Sequence, residues 1–409
     1  MPGIATFSIF NRMVTQTIQL YKKAYGGLSP STWWLSVVML VNRSGTMVVP
    51  FMTMYMTQHF GVSIAKAGFV MSMFGLGAIV GALVGGKLTD TIGYYYVQIV
   101  TLVGGGLMFI ILGRLHSYPG ICIGTFFLAL VNEAFRPANS VAIAHYSKDE
   151  NRTRSYSLNR LAINLGWAVG GALGGIIASI NYSLLFWVDG ITNISASILL
   201  YLVLAPSRNT ATAAKIKMEK EPRLSAYQDR RYLIFVILVF LFASCFFQLF
   251  TILPVYYKEK FNLTVFFIGM IMAVNGLLIS LVEMIIVFSL EGKRSLMNYI
   301  SCGVLLIAMA FFFIEVPGVS KPLVALLSMI ILTFGEILSM PFMSSYMISR
   351  TSLNNRGQYA ALYTVSWASA QASGPFIGSL IAQNYGYHVL WIGIGILCIL
   401  IAGAYQILK

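Results

Sequence analysis

Apolar residues fill this chain in twelve long runs, at roughly 31–57, 65–88, 95–115, 119–146, 155–180, 183–205, 231–257, 264–290, 295–315, 321–348, 357–383 and 387–408. A helix needs about 20 residues to cross about 30 Å of hydrocarbon. Backbone groups in lipid must be satisfied within the segment, which selects helices for apolar runs of this kind. The pattern therefore predicts an all-α membrane protein with twelve transmembrane helices. Ahead of the first run, Phe7, Ile9, Phe10, Met13, Ile18 and Leu20 alternate with polar residues, so residues 1–30 are read as a short amphipathic segment lying in the interface.

One polar stretch divides the pattern almost in half. Pro206 to Arg230 holds Arg208, Lys215, Lys217, Lys220, Arg223 and Arg230. The expected organisation is an N-terminal bundle over 31–205, a linker over 206–230 and a C-terminal bundle over 231–409. The halves also repeat. A shift of 204 positions pairs Pro50 with Pro254, Pro137 with Pro341, Asn151 with Asn355, Arg152 with Arg356, Gly170 with Gly374, Gly174 with Gly378 and Trp187 with Trp391. Repeated halves of a membrane protein place a binding site near the midplane, where they meet.

Composition sharpens this reading. The 409 residues are 58% hydrophobic and 10% charged, against about 25% charged in soluble domains. The net charge of +14 is a matter of topology and needs no nucleic acid. Most Lys and Arg fall in the segments that share a side with both termini; the other side holds only Lys66, Arg114, Lys258, Lys260 and Lys321. Basic loops stay inside, so both termini are expected in the cytoplasm of a plasma (inner) membrane protein. No cleavable signal pattern is expected in residues 1–30. Cys122, Cys245, Cys302 and Cys398 all lie in apolar runs without metal spacing and are read as small buried hydrophobes. Neither a catalytic constellation nor a nucleotide-binding loop occurs, which argues against an enzyme, a cofactor or a metal. The expected partners are a small-molecule substrate, protons and the bilayer, with the chain acting as a monomer.

A few charges break the apolar runs. Glu133 and Arg136 sit mid-run and three apart, on one helix face. Each costs about 2.5–3.5 kcal/mol at that depth unless paired or wet. Arg43, Arg160, Glu283 and Glu336 are similarly placed, whereas Asp189 is read as interfacial, toward the end of its run.

Two stretches carry a family resemblance. Gly85-Gly86-Lys87-Leu88-Thr89-Asp90-Thr91-Ile92-Gly93 resembles the G-x-L-x-D-x-x-G loop of the major facilitator superfamily, with Gly86, Leu88, Asp90 and Gly93 on the pattern. The basic residues that usually follow are replaced by Tyr94, Tyr95 and Tyr96. In span five, Gly166, Gly170, Gly171, Gly174 and Gly175 resemble the glycine-rich motif of that superfamily's drug/proton antiporters, with Gly171 where proline is usual; span eleven has Gly374, Pro375 and Gly378. Small residues at such spacing let helix backbones approach closely. Asn42-Arg43 through Pro50-Phe51 also resembles the first span of multidrug efflux members.

The resemblance implies the major facilitator fold, two pseudo-symmetric six-helix bundles, with spans one, four, seven and ten lining a central cavity. It assigns gating to Gly86, Asp90, Gly93, Gly170, Gly174, Gly374 and Pro375, with Asp90 capping a neighbouring helix. Proton coupling is expected from Glu133, with Arg136, Arg43 or Arg160 competing for it, and then from Glu336. Substrate contacts are expected from Asn42, Asn132, Asn164, Gln248, Glu283, Glu336, Tyr55, Phe250 and Trp367. The expected function is proton-coupled export of amphipathic small molecules by alternating access. The alternative is a proton-coupled importer of a polar nutrient such as a short peptide or sugar; no acid precedes Arg43 in the way the oligopeptide transporters require.

Overall fold

The computed structural model describes residues 26–148, 151–204, 225–290, 292–350 and 356–409, with backbone alone at 152–153 and 356–357. Most of the amphipathic N-terminal segment and of the 206–230 linker lies outside the described residues.

Among the described residues, fifteen α-helices make up the twelve spans. They are α1 (Pro30–Ser44) and α2 (Val48–Met54), α3 (Ile64–Ile92), α4 (Tyr94–Leu112), α5 (Tyr118–Glu133) and α6 (Phe135–Tyr146), α7 (Arg152–Ile180) and α8 (Ser183–Val203). The second half holds α9 (Arg230–Phe246) and α10 (Gln248–Glu259), α11 (Val265–Leu290), α12 (Leu296–Phe313), α13 (Lys321–Ser349), α14 (Arg356–Tyr385) and α15 (Tyr387–Leu408). Starts are capped as the sequence dictates. The Ser29, Ser63 and Ser117 hydroxyls and the Asp229 carboxylate accept the N–H three residues on, and Pro30 and Pro119 open their helices where no donor is needed.

Spans one, four and seven are each two stacked half-helices. The breaks fall at Gly45–Met47, Ala134 and Phe247. Pro50 and Pro137 are both the third residue of the second half-helix. Proline there lacks the N–H that would continue the ladder and crowds the preceding turn, so the helix restarts instead of running through. Span ten keeps Pro341 inside one helix, α13. Among the described residues, eleven spans are long and apolar enough to cross a membrane by length and composition. The twelfth, α14, has the length, but Gln358, Thr364, Ser366, Ser369, Gln371 and Ser373 lower its hydropathy. Thr364 and Gln371 face the central cavity described below, which accounts for part of this polarity.

The two halves are built alike. In the first, the Ser29 hydroxyl at the start of span one donates to the Tyr146 carbonyl at the end of span four (2.7 Å). In the second, Asp229 at the start of span seven binds Arg350 at the end of span ten (2.6 Å). Arg350 is Tyr146 shifted by the repeat offset. Each half closes into a six-helix bundle, and the bundles meet along two seams, α7 on α11 and α3 on α14. Span ends alternate between two faces. One carries Lys87, Lys148, Arg154, Arg230, Arg231, Lys293, Arg294, Arg350 and Lys409, and is called the basic face.

Cys122, Cys245 and Cys398 are buried, but Cys302 is exposed. It shares an outward stripe of α12 with Leu305 and Met309, so the expectation of four buried thiols is corrected.

Candidate functional site

A cavity of about 850 Å³ lies between the bundles. Three of its walls come from helix breaks: Arg43 and Thr46 from span one, Asn132, Glu133 and Arg136 from span four, and Phe247, Phe250 and Thr251 from span seven. Trp167 of α7 and Trp367 and Gln371 of α14 complete the inner end. A broken helix can aim side chains and free backbone groups inward where an unbroken one presents only a smooth surface, which is how backbone irregularity is tolerated at membrane depth.

The cavity extends toward the basic face. Ile79, Ala82 and Leu83 on the basic half of α3 and Ala360, Ala361 and Thr364 on the basic half of α14 line it. On the opposite half these helices touch. A Cβ on Gly68 would collide with Ser379 and with the Pro375 carbonyl, and one on Gly75 with the backbone of Gln371 and Ala372. Phe51 and Met54 of span one and Leu253 and Tyr257 of span seven are fully buried there and shut that side.

Glu133 and Arg136 form an ion pair in the cavity wall, Nε to carboxylate at 2.6 Å. The carboxylate is buried while the guanidinium is 63% exposed, so the pair stands at a boundary between protein and open space. Pro137 sets this geometry, because it ends α5 at Glu133 and turns Arg136 into the first turn of α6. Arg43, at the end of α1, lines the same cavity, and its Nε is buried without a hydrogen-bond partner among the described residues. It also borders an adjoining space of about 240 Å³ with Arg136, Asn139, Tyr156 and Asn159.

Arg160 does not join this group. It binds Glu283 of α11 at 2.7 Å, across the seam between the bundles. The expectation that Arg160 competes for Glu133 is therefore corrected in this conformation: α7 turns Arg160 toward α11. Beyond Trp167 and Phe250, whose rings stand 5.4 Å apart, a smaller space of about 160 Å³ holds Asn164, Asn275 and Glu336. The Asn275 amide donates to Glu336 (3.2 Å) and to Thr333 (2.9 Å).

Three expected substrate contacts lie elsewhere. Asn42 donates to Asn193 (2.8 Å), which donates to the Asp189 carbonyl (2.8 Å), all buried between spans one and six. The Gln248 amide donates to the carbonyls of Ser244 (2.9 Å) and Gly374 (2.8 Å) and packs spans seven and eleven together. Tyr55 stacks on His59 and meets Phe186 edge-on, within the closed half. By contrast Asn132, Phe250 and Trp367 line the large cavity, Asn164 and Glu336 line the small one, and Glu283 holds the seam.

Asp189 is not interfacial as expected, but fully buried. Its carboxylate accepts the backbone N–H groups of Met47 (3.0 Å) and Val48 (2.8 Å), the unpaired start of α2. A carboxylate at a helix N-terminus satisfies both the orphan donors and the dipole. The signal was present in Pro50, which forces the restart, but not in Asp189's position along its run.

The glycines divide by neighbour. Gly170 and Gly174 face the break of span one, approaching the carbonyls of Arg43 and Ser44 and the Phe51 ring. Gly374 and Gly378 face the break of span seven, against Ser244 and Gln248. Gly171 and Gly175 face α11 in the other bundle. One helix thus serves an intrabundle hinge and an interbundle seam. Gly93, at φ +88°, makes the turn between α3 and α4 that a side chain would strain. Gly86 has open space around it, and Asp90 is exposed on the last turn of α3 with no hydrogen bond among the described residues, so the expected cap is not made in this conformation.

The sequence pattern of the Major Facilitator Superfamily matches residues 34–375. The chain belongs to this superfamily. It is 22% identical over 377 residues to the uncharacterized transporter YttB of Bacillus subtilis, covering 90% of this chain and 92% of that one. To the Na(+), Li(+), K(+)/H(+) antiporter of Planococcus maritimus it is 24% identical over 406 residues, covering 90% and 91%. The quinolone resistance protein NorA of Staphylococcus aureus is 19% identical over 175 residues, covering 43% and 45%. Among solved structures, a POT family transporter in complex with a thioalcohol-conjugated peptide superposes with a TM-score of 0.77 at 17% identity, covering 94% of this chain and 97% of that one. The nucleoside transporter NupG gives 0.74 at 14% identity, covering 92% and 99%. These superpositions establish the fold. As a member of the superfamily the protein is a multi-pass membrane transporter of small molecules and not an enzyme.

Proposed function

We propose that this protein exports amphipathic small molecules in exchange for protons, by alternating access. The observation that carries this reading is the Glu133–Arg136 ion pair in the wall of a cavity whose lining also includes Phe74, Phe247, Phe250, Trp167 and Trp367. An aromatic cavity of this size takes flat apolar bodies, and a carboxylate whose arginine partner can change supplies the coupling. Arginine stays charged throughout, so only the carboxylate carries the proton.

In the exchange cycle, Glu133 releases a proton on the side where Arg136 or Arg43 reaches it and binds one where neither does. Glu336, behind Trp167 and Phe250, is the second proton carrier. The bundles rock about the α7–α11 seam, so that α3 and α14 close on the basic side as the opposite half parts. The basic face is cytoplasmic by the distribution of Lys and Arg, which puts the termini inside the cell and the present cavity in contact with the cytoplasm. Relatives named as a cation/proton antiporter and a quinolone resistance protein support export over uptake.

Flux of fluorescent amphipathic compounds into inside-out proteoliposomes tests this. A proton gradient, acidic inside, is expected to drive accumulation, and Glu133→Gln is expected to abolish the dependence on the gradient while leaving downhill flux. Gradient-driven accumulation that survives in Glu133→Gln would remove Glu133 from the role. Gradient-driven flux of dipeptides or sugars in the opposite sense would replace export by uptake.

A further inference from the structure

Glu133 is committed to Arg136, and Arg160 to Glu283. That leaves Arg43 as the basic group of the large cavity with no carboxylate bonded to it among the described residues, and with a buried, unpartnered Nε. The two arginines and one glutamate around this end of the cavity sum to a single positive charge. Gly166 lets the stem of Arg43 lie directly against α7: a Cβ there would meet the Arg43 Cβ at 2.5 Å. The stem is therefore fixed, while its head stands where the two cavities on the basic side adjoin. Beside it, Trp167 and Phe250 form a tilted pair and Phe247 meets Trp367 edge-on, a wall fit for a flat ring system.

We infer that Arg43 is the anion subsite of this cavity, and that the preferred substrates are amphipathic acids, with a carboxylate or like anionic head on Arg43 and an aromatic body against Trp167, Phe250, Phe247 and Trp367. This rests on the transport reading above and narrows it. A guanidinium presents its N–H groups as a planar fork, which a carboxylate fills with two parallel hydrogen bonds. A lipophilic cation of the same shape gains the aromatic wall but meets the positive charge, whereas an acid gains both. The unpaired Nε is a donor whose burial is costly until an acceptor reaches it.

The probes are 4-(1-naphthyl)butyric acid and 4-(1-naphthyl)butylamine, matched in ring and length and opposite in charge. Binding is read by thermal shift and by tryptophan fluorescence on purified protein, with no gradient. The acid is expected to bind the wild-type protein at least tenfold more tightly than the amine. Arg43→Gln is expected to weaken the acid by tenfold or more and to strengthen the amine. Arg43→Lys keeps the charge without the fork and is expected to fall between. Glu133→Gln, which removes the competing negative charge, is expected to tighten the acid. Tighter binding of the amine to the wild type, or equal affinity of the acid for wild type and Arg43→Gln, overturns the subsite. Should Arg43→Gln fail to fold, the Arg43→Lys and Glu133→Gln affinities decide. Failure here with gradient-driven flux intact removes the subsite alone; acid binding without gradient-driven flux removes the coupling alone.

Discussion

Arg160 and Glu283 meet at 2.7 Å across the seam between two bundles that are otherwise joined there by backbone contact. Gly276 of α11 packs on Ala168 of α7, and Gly269 on Gly175, in one antiparallel register that leads to the ion pair at its basic end. On the other seam the equivalent ends of α3 and α14 have parted around the cavity. The ion pair is thus a clasp on one seam while the other stands open.

Removing one partner leaves the other charge in a half-dry seam. Arg160→Gln is expected to lower stability by about 1–2 kcal/mol, less than for a fully buried pair because the guanidinium is half exposed. Arg160→Gln with Glu283→Gln is expected to recover part of that loss. A double-mutant cycle on melting in detergent measures the coupling; additive single effects would mean that the contact contributes nothing.

Asp189 makes a second prediction. Its carboxylate takes the Met47 and Val48 N–H groups at the restart of span one, four and five residues beyond Arg43. Asp189→Ala is expected to cost about 2 kcal/mol, since buried orphan donors add to the loss of a cap. Asp189→Asn retains one acceptor and is expected to cost less. The check is the melting temperature of both variants, with Asp90→Asn, on an exposed turn, as the unchanged control.

How much of this was legible beforehand depended on whether the information was local. Twelve spans, the duplicated halves and the prolines are properties of segments, and each is visible in the order of residues. Glu133 and Arg136 are also local, three apart on one helix, and pair as their spacing allows. For Arg160, Asp189 and Gln248 the sequence shows only the depth along their own runs, from which Arg160 is expected near Glu133, Asp189 at the interface and Gln248 against substrate. Their actual partners, Glu283, the α2 N-terminus and the Gly374 carbonyl, are set by the rotation of one helix against another distant in sequence. A single sequence carries no direct record of that rotation. The polar residues of α14 hinted at it, because a span that cannot be fully apolar must have a wet or bonded side.

Outside the membrane, Asp229 ties spans seven, ten and eleven together. Burial pushes its carboxyl up, but hydrogen bonds from Arg350, the Tyr232 N–H and the Tyr359 hydroxyl outweigh this and hold it below the ordinary carboxylate range. A carboxyl depressed in the folded state adds stability that is complete above its unfolded value, about 3.9, and is lost as pH falls through the folded one. Arg350→Gln is therefore expected to lower the melting temperature at pH 7 and to narrow the gap between pH 7 and pH 3.5. A gap as wide as the wild type's would show that the link does not depend on this pair.

The closest approach in the α7–α11 seam supplies the last prediction. A Cβ on Gly269 would lie 2.5 Å from the Gly175 Cα, and the obstructing atoms are backbone, so no rotamer relieves the clash. Each bundle stays intact when the two are pushed apart at that level, because both glycines lie between bundles and not within one. Gly269→Val is therefore expected to fold, yet to exclude the conformation open to the basic face and to favour its counterpart. Spin labels at Lys66 and Lys321, one on each bundle at the opposite face, are expected to move apart, and transport to fall at least tenfold because half of the cycle becomes inaccessible. Gly86→Val, which meets open space, is expected to leave the label distance as it is. An unchanged distance in Gly269→Val with normal turnover would mean that this seam does not hold the bundles together, and that the rocking motion turns on other contacts.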